Sequence, residues 1–243
     1  MKMLVFANRT AKEILRDALT LGFGLGFPLV LLLLLSAIQA NVPVSLFEIA
    51  QLTPGIAVFG LSFMTLFSAT LIARDRESAF LQRLYTTPMT AWDFIAGYAL
   101  PFLPIAMAQS IICYLAAFFL GLPVSWSVLW SILLNLPASA LFVSLGMLFG
   151  SILTVKQAGG ICGALMTNLT AWLSGVWFDL ALVGGVFEKI AEVLPFVHAV
   201  ELERAVLRGD WAAVAPHMGW VLGWAAAAAL GAVGLFLRQM RRT

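Results

Sequence analysis

The sequence predicts an all-α integral membrane protein with six transmembrane helices, and three observations carry that prediction. Of 243 residues, 62% are hydrophobic and only 11% are charged, whereas a soluble domain carries about 25% charged residues. Mean hydropathy is +0.98. The apolar residues also gather into six runs, over 19–38, 55–73, 94–120, 126–155, 158–178 and 214–237. At about 1.5 Å per residue, each run is long enough to cross a hydrocarbon core about 30 Å thick. No stretch between the runs is long enough to bury a soluble core, so residues 1–243 are expected to form a single membrane domain.

Residues 1–18 precede the first span and read as an amphipathic interfacial helix. Lys2, Arg9, Lys12, Glu13 and Arg16 project on one side, and Leu4, Ala7, Ala11, Ile14 and Leu15 on the other. Such a basic face suits anionic lipid headgroups. No small-residue cleavage site follows a short apolar core, so no cleavable signal peptide is expected. Thr53-Pro54 is placed as the cap and first helical residue of the second span, because proline lacks an N–H that would be unpaired there anyway. Thr90 to Asp93 has capping-box spacing and opens the third span.

Residues 74–88 are too polar to cross a bilayer. As a helix they put Arg76, Phe80 and Arg83 or Leu84 at three- and four-residue spacing, so charges and apolar side chains share faces. Pro88 ends that helix. The segment reads either as a solvated loop or as a short docking helix gripped by a soluble partner. Residues 179–210 alternate apolar and charged side chains and are broken by Pro195. They predict two short amphipathic helices that dip into the outer leaflet and return before the sixth span, in preference to a hairpin lying on the outer surface.

Orientation follows from Lys and Arg counts. With the N-terminus inside, the inner side holds Lys2, Arg9, Lys12, Arg16, Arg74, Arg76, Arg83, Lys156, Arg238, Arg241 and Arg242. Only Lys189, Arg204 and Arg208 lie outside. Six spans then leave both termini in the cytoplasm, in a multi-pass protein of the plasma membrane.

The sequence has no G-x-x-x-x-G-K-[ST] phosphate loop. Its ionisable residues lie at or near the span ends, whereas ion-driven carriers keep acids or histidines at membrane depth. Energy for uphill transport would therefore come from another chain. Cys113 and Cys162 lie in apolar runs and read as packing thiols. No metal site, cofactor or nucleic-acid partner is expected in this chain. Gly22/Gly26, Gly146/Gly150, Gly159/Gly163 and Gly219/Gly223 have the spacing that lets membrane helices approach closely. Polar side chains in the spans, Ser62, Thr65, Thr167, Asn168 and Thr170 among them, read either as interhelical hydrogen-bonding groups or as the wall of a substrate path. An intramembrane serine protease of the rhomboid kind is the enzymatic alternative. It fits poorly: Trp172-Leu173 precedes Ser174, so the elbow glycine is missing, and His198 falls in the outer loop.

Leu52 to Phe59, Arg76-Glu77-Ser78 with Arg83 to Pro88, and Leu173 to Phe178 followed by Leu194 to Val200 together resemble the type-2 ATP-binding-cassette exporter permeases. The resemblance covers nearly the whole chain. One departure is Asp179, where many members carry proline after the Trp-Phe pair. The resemblance implies that 74–88 is the coupling helix, with Arg76, Glu77, Phe80, Leu81, Arg83, Leu84, Tyr85 and Thr87 contacting a separate ABC ATPase subunit that binds ATP and Mg. It implies re-entrant helices over 179–210, with Glu188, Pro195 and His198 at an outer gate, and a second permease copy as homodimer partner. Family substrates are varied, and a drug-like or lipid-like amphiphile suits the weakly polar spans. A related complex that senses or sequesters a peptide, as an immunity module, is the other reading.

Overall fold

A computed structural model describes residues 2–42, 44–78, 80 and 89–240. Among them every regular element is helical. Helix α1 (Lys2–Arg16) is followed by α2 (Ala18–Leu21), which runs through a π-helical turn at Gly22–Gly26 into α3 (Phe27–Asn41). Next come α4 (Ile49–Gly60), α5 (Ser62–Glu77), α6 (Ala91–Phe119) and α7 (Trp126–Gly150). A second composite element joins α8 (Val155–Gly160) through a π-helical turn at Ile161–Met166 to α9 (Thr167–Leu173). The chain closes with α10 (Leu180–Val183), α11 (Gly185–Val193), α12 (Pro195–Arg208) and α13 (Trp211–Met240).

Five helical stretches among the described residues are long and apolar enough to cross a membrane: Ala18–Asn41, Ile49–Glu77, Ala91–Phe119, Trp126–Gly150 and Trp211–Arg238. The sequence predicted six, and the missing one is 158–178. Its helical pieces do run the length of the bundle. They start beside Glu77, whose side chain accepts from the Val155 N–H at 2.9 Å. They end beside Gly55, where a Cβ would come within 2.9 Å of Val176. What they lack is apolarity, because Lys156, Gln157, Thr167, Asn168, Thr170 and several glycines dilute the run.

The second span also starts earlier than predicted, at Ile49, with Pro54 inside α4. Thr53 does not cap it: its hydroxyl donates to the Ile49 carbonyl at 2.7 Å. Residues 52–60 are all buried, so packing overrides the local preference of proline. The capping box at Thr90 and Asp93 forms as predicted.

Helix α1 lies against α6 rather than only along the membrane. It buries Phe6, Ala7, Thr10 and Ile14, while Leu4 and Leu15 remain 61% and 63% exposed. The apolar residues of α1 therefore face two ways. The backbones of helices α5 and α7 approach closely: a Cβ at Gly146 would lie 2.5 Å from the Thr65 carbonyl, and one at Gly150 2.7 Å from that of Ala69. Gly22, Gly26, Gly159, Gly219 and Gly223 have open space instead. Cys113 and Cys162 are buried and unpaired.

The described basic residues separate to the two ends of the bundle. The end formed by α1, the close of α5, the start of α6 and the close of α13 carries Lys2, Arg9, Lys12, Arg16, Arg74, Arg76 and Arg238, with Lys156 on α8. The opposite end, with α10 to α12, carries Lys189, Arg204 and Arg208.

Candidate functional site

At the basic end, the last turn of α5 is held from two sides. The Arg9 guanidinium meets Asp75 through two nitrogens, at 2.6 and 3.0 Å, a bidentate geometry that fixes orientation as well as charge. Tyr98 on α6 donates its hydroxyl to the same carboxylate at 2.8 Å. Arg9 also pairs with Glu13 at 2.8 Å, one turn along α1. Beyond Asp75 the chain brings Phe80 under the Arg9 guanidinium, 4.2 Å from ring centroid to carbon, a cation–π contact. Phe6 stacks on Phe80 with centroids 6.5 Å apart and meets Tyr98 edge-on at 4.8 Å. Phe6 fits because residue 97 is glycine, where a Cβ would collide with the ring.

On the other side, Arg76 donates to the carbonyls of Ser151 and Leu153. Ser151 is the C-cap of α7 and Leu153 lies in the turn that follows, so Arg76 closes the end of that helix. Glu77 accepts from the Val155 N–H at the start of α8. Arg76 and Glu77 are thus engaged within the chain, and Phe80 is half buried. Leu81, Arg83, Leu84, Tyr85 and Thr87 lie outside the described residues. This local structure joins α1, α5, α6 and the α7–α8 turn where residues 74–88 begin.

At the opposite end, Pro195 starts α12 as its first residue. His198 and His217 of α13 face each other with their Nδ1 atoms 2.9 Å apart. The His198 Nε2 lies 2.7 Å from the Glu192 carbonyl, and Trp220 stacks on the His198 ring. Glu188 sits in the first turn of α11, and is not joined to His198 by a hydrogen bond or ion pair. Ser174 and His198 are likewise not brought together: the Ser174 hydroxyl is directed to the Ala171 carbonyl at 3.4 Å.

Two residues outside the sequence prediction dominate this end. Buried Arg204 donates to the carbonyls of Gln51 and Gly175, at 3.2 and 3.1 Å, and pairs with Glu201 at 2.9 Å. It thereby fastens α12 to the start of α4 and to the turn after α9. Glu203 is fully buried, with its Oε2 2.7 Å from the Ser131 hydroxyl of α7, which also accepts from Tyr114 of α6 at 2.8 Å. Burial pushes the Glu203 carboxyl up to about 8. A signal was present in the sequence: Phe196, Ala199, Val200, Glu203 and Val206 recur at helical spacing, so Glu203 lies on the apolar stripe of α12.

The polar span residues do not share one surface. Ser62 and Thr65 are buried, and the Thr65 hydroxyl donates to the Phe142 carbonyl at 2.8 Å. Thr170 is buried and bonds back to the Met166 carbonyl. Asn168 is exposed, with its amide on the Ala164 carbonyl at 2.8 Å, and Thr167 is half exposed. Among the described residues no group of three His, Cys, Asp or Glu side chains could hold a metal ion.

Residues 1–207 match the family model of the ABC-2 type transporters. No curated protein matches the chain. Members of the matched family are non-catalytic membrane subunits of transporters, and this multi-pass chain is such a subunit rather than an enzyme.

Proposed function

The chain belongs to the ABC-2 type transporter family, and from there we propose that it is the permease of an ATP-driven exporter. A separate ATPase subunit supplies the energy and binds ATP and Mg. Both termini are cytoplasmic, in line with the gathering of basic residues at one end of the bundle. Residues 1–243 work as one permease domain of the plasma membrane. The substrate is a drug-like or lipid-like amphiphile carried outward.

The observation that carries this proposal is the joint around Asp75. It ties α1, α5 and α6 together, while Arg76 and Glu77 tie α5 to the α7–α8 turn. A push on 74–88 would therefore reach most of the bundle. Phe80, and Leu84 four residues on, are the apolar anchors offered to the ATPase. Leu81, Arg83, Tyr85 and Thr87 complete the contact.

A second permease copy is supported by the outer side of α8 and α9. Gly159, Gly160, Ala164, Asn168 and Trp172 are exposed there. An exposed amide at membrane depth is costly against lipid and is normally met by another helix or by water. Thr167 and Asn168 would then line a path between two copies, with Thr170, Ser62 and Thr65 behind them. Glu188, Pro195 and His198 stand at its outer mouth.

The test is pull-down of an ATPase subunit co-expressed with the chain, together with substrate-stimulated hydrolysis. Phe80→Ala should weaken association about 30-fold, equivalent to about 2 kcal/mol, while the membrane bundle stays folded. If Phe80→Ala and Leu84→Ala leave both readouts unchanged, the mechanical link lies elsewhere.

A further inference from the structure

Glu203 is a buried acid that the transport proposal does not use. Its surroundings decide its protonation state by hydrogen-bond counting. Among the described residues no cation lies within ion-pair distance of it: neighbouring Arg204 turns away to Gln51, Gly175 and Glu201. The titratable groups on the elements around α12 are His217 and Arg238 on α13, Glu188, Lys189 and Glu192 on α11, and Asp93, Tyr98, Cys113 and Tyr114 on α6, of which Tyr114 reaches the site through Ser131; α4, α7 and α9 have none. On α12 itself, His198 is taken up by His217 and Glu192, and Arg208 by Glu201.

An ionised Glu203 would receive one hydrogen bond, from Ser131, and its Oε1 has no partner at all. A buried charge so poorly met is expensive. With a proton on Oε2 the contacts close. Glu203 donates to the Ser131 oxygen, Tyr114 donates to that oxygen as well, and Ser131 donates to the Glu203 carbonyl at 3.3 Å. Every donor is then used, and the atom left over is one acceptor oxygen, the cheapest kind of orphan.

We propose that Glu203 is a positioning residue that keeps its proton and, as a neutral acid, pins outer helix α12 to α6 and α7, and that loss of this proton releases the pin. The part that concerns transport rests on the permease proposal above. Because α12 starts at Pro195 and carries His198, its release would loosen the outer mouth.

The test uses the full-length chain in lipid nanodiscs, first alone and then with its ATPase. Infrared spectroscopy should find a protonated carboxyl band at neutral pH that fades as pH rises through about 8 and is missing in Glu203→Gln. Amide exchange in α12 should quicken over the same pH range in the wild type and stay flat in Glu203→Gln. Ser131→Ala removes the partner that the pin needs, so α12 exchange should be quick and nearly flat with pH, while the infrared band should persist to higher pH because the hydroxyl also meets the ionised form; this gives a second test should the first variant fold poorly. With the ATPase present, substrate-stimulated hydrolysis should fall about tenfold from about pH 7 to about pH 9 relative to Glu203→Gln, the ratio expected for one ionisation near 8. A carboxylate already ionised at neutral pH overturns the proposal, and so does α12 exchange that rises equally in wild type and Glu203→Gln. If no ATPase associates, the permease proposal falls instead, and the infrared and exchange measurements still decide the pin.

Discussion

Asp75 and Glu203 are both buried carboxyls, at opposite ends of the bundle, and their neighbours treat them differently. Asp75 receives a bidentate guanidinium and a phenol. Glu203 receives a serine and has one oxygen unmet. The difference follows from which elements supply the partners. Asp75 faces α1, an amphipathic helix with cations spaced along it. Glu203 faces α6 and α7, which are apolar runs with an occasional hydroxyl. A charge shared between α1 and α5 transmits force strongly and has to be broken or moved for the two helices to part. A neutral hydrogen bond is weaker and can be switched by one proton. The basic end is therefore built as a joint and the opposite end as a latch.

Removing the charge of Asp75 should have the largest effect. Breaking a buried pair costs about 3–5 kcal/mol, but Arg9 is more than a third exposed. We expect Asp75→Asn to cost about 2 kcal/mol, read as a lower unfolding midpoint in detergent. Residues 2–16 should also become sensitive to protease, because α1 loses its anchor. Arg9→Met combined with Asp75→Asn should cost clearly less than the two changes summed, as expected for residues in direct contact. Strict additivity would mean that the pair is incidental and that Phe6 packing alone seats α1.

Glu203→Gln comes next and should be close to neutral at about pH 4, where the acid is protonated in both states and glutamine keeps the shape and the donor, and more stable than wild type at pH 7. The contrast lies in its pH dependence. The folded carboxyl is raised to about 8, above the unfolded value of about 4.3. The stability it contributes is complete below the unfolded value and is lost as pH rises through about 8. Wild type should therefore lose stability from mildly acidic to mildly alkaline pH, by a slope that Glu203→Gln lacks, with unfolding followed at each pH. Equal slopes would place an ion partner near Glu203 and erase its contrast with Asp75.

Much of the architecture was legible because hydropathy alone decides most of it. The runs now in α3, α6, α7 and α13 and the cap at Thr90 came from local signals that packing does not oppose. The fifth run misled because window-averaged apolarity was counted from 158, whereas the helix starts at Val155 and takes in Lys156 and Gln157. Pro54 misled because its local preference is weaker than the burial of residues 52–60. At the sites, Phe80 was legible as an apolar residue among charges. Its partners Phe6 and Arg9 were not, since they come from a helix more than sixty residues away and no local pattern encodes that pairing. Glu203 lay in plain sight on the stripe of α12, but a chain with charged termini at every loop gives no reason to look for a buried acid in a loop.

The smallest effect should come from Glu77, which bridges the joint to α8. Its carboxylate accepts from the Val155 N–H, one of the unpaired donors at a helix start. Thr154 already caps the same helix by accepting from the Gln157 N–H at 3.2 Å, so Glu77 is one of two supports. It is exposed, and exposed contacts of this kind contribute about 0.5 kcal/mol. Glu77→Ala should accordingly leave the unfolding midpoint almost unchanged while amide exchange at Val155 and Lys156 rises several-fold. Glu77→Gln keeps the accepting oxygen and should restore most of the protection. If Glu77→Gln exchanges as fast as Glu77→Ala, the contact works through charge at the helix start and not through the single hydrogen bond. Added salt would then quicken exchange in the wild type too. Were neither variant to alter exchange, α8 would be independent of α5, and force arriving at Phe80 would be confined to α1, α5 and α6.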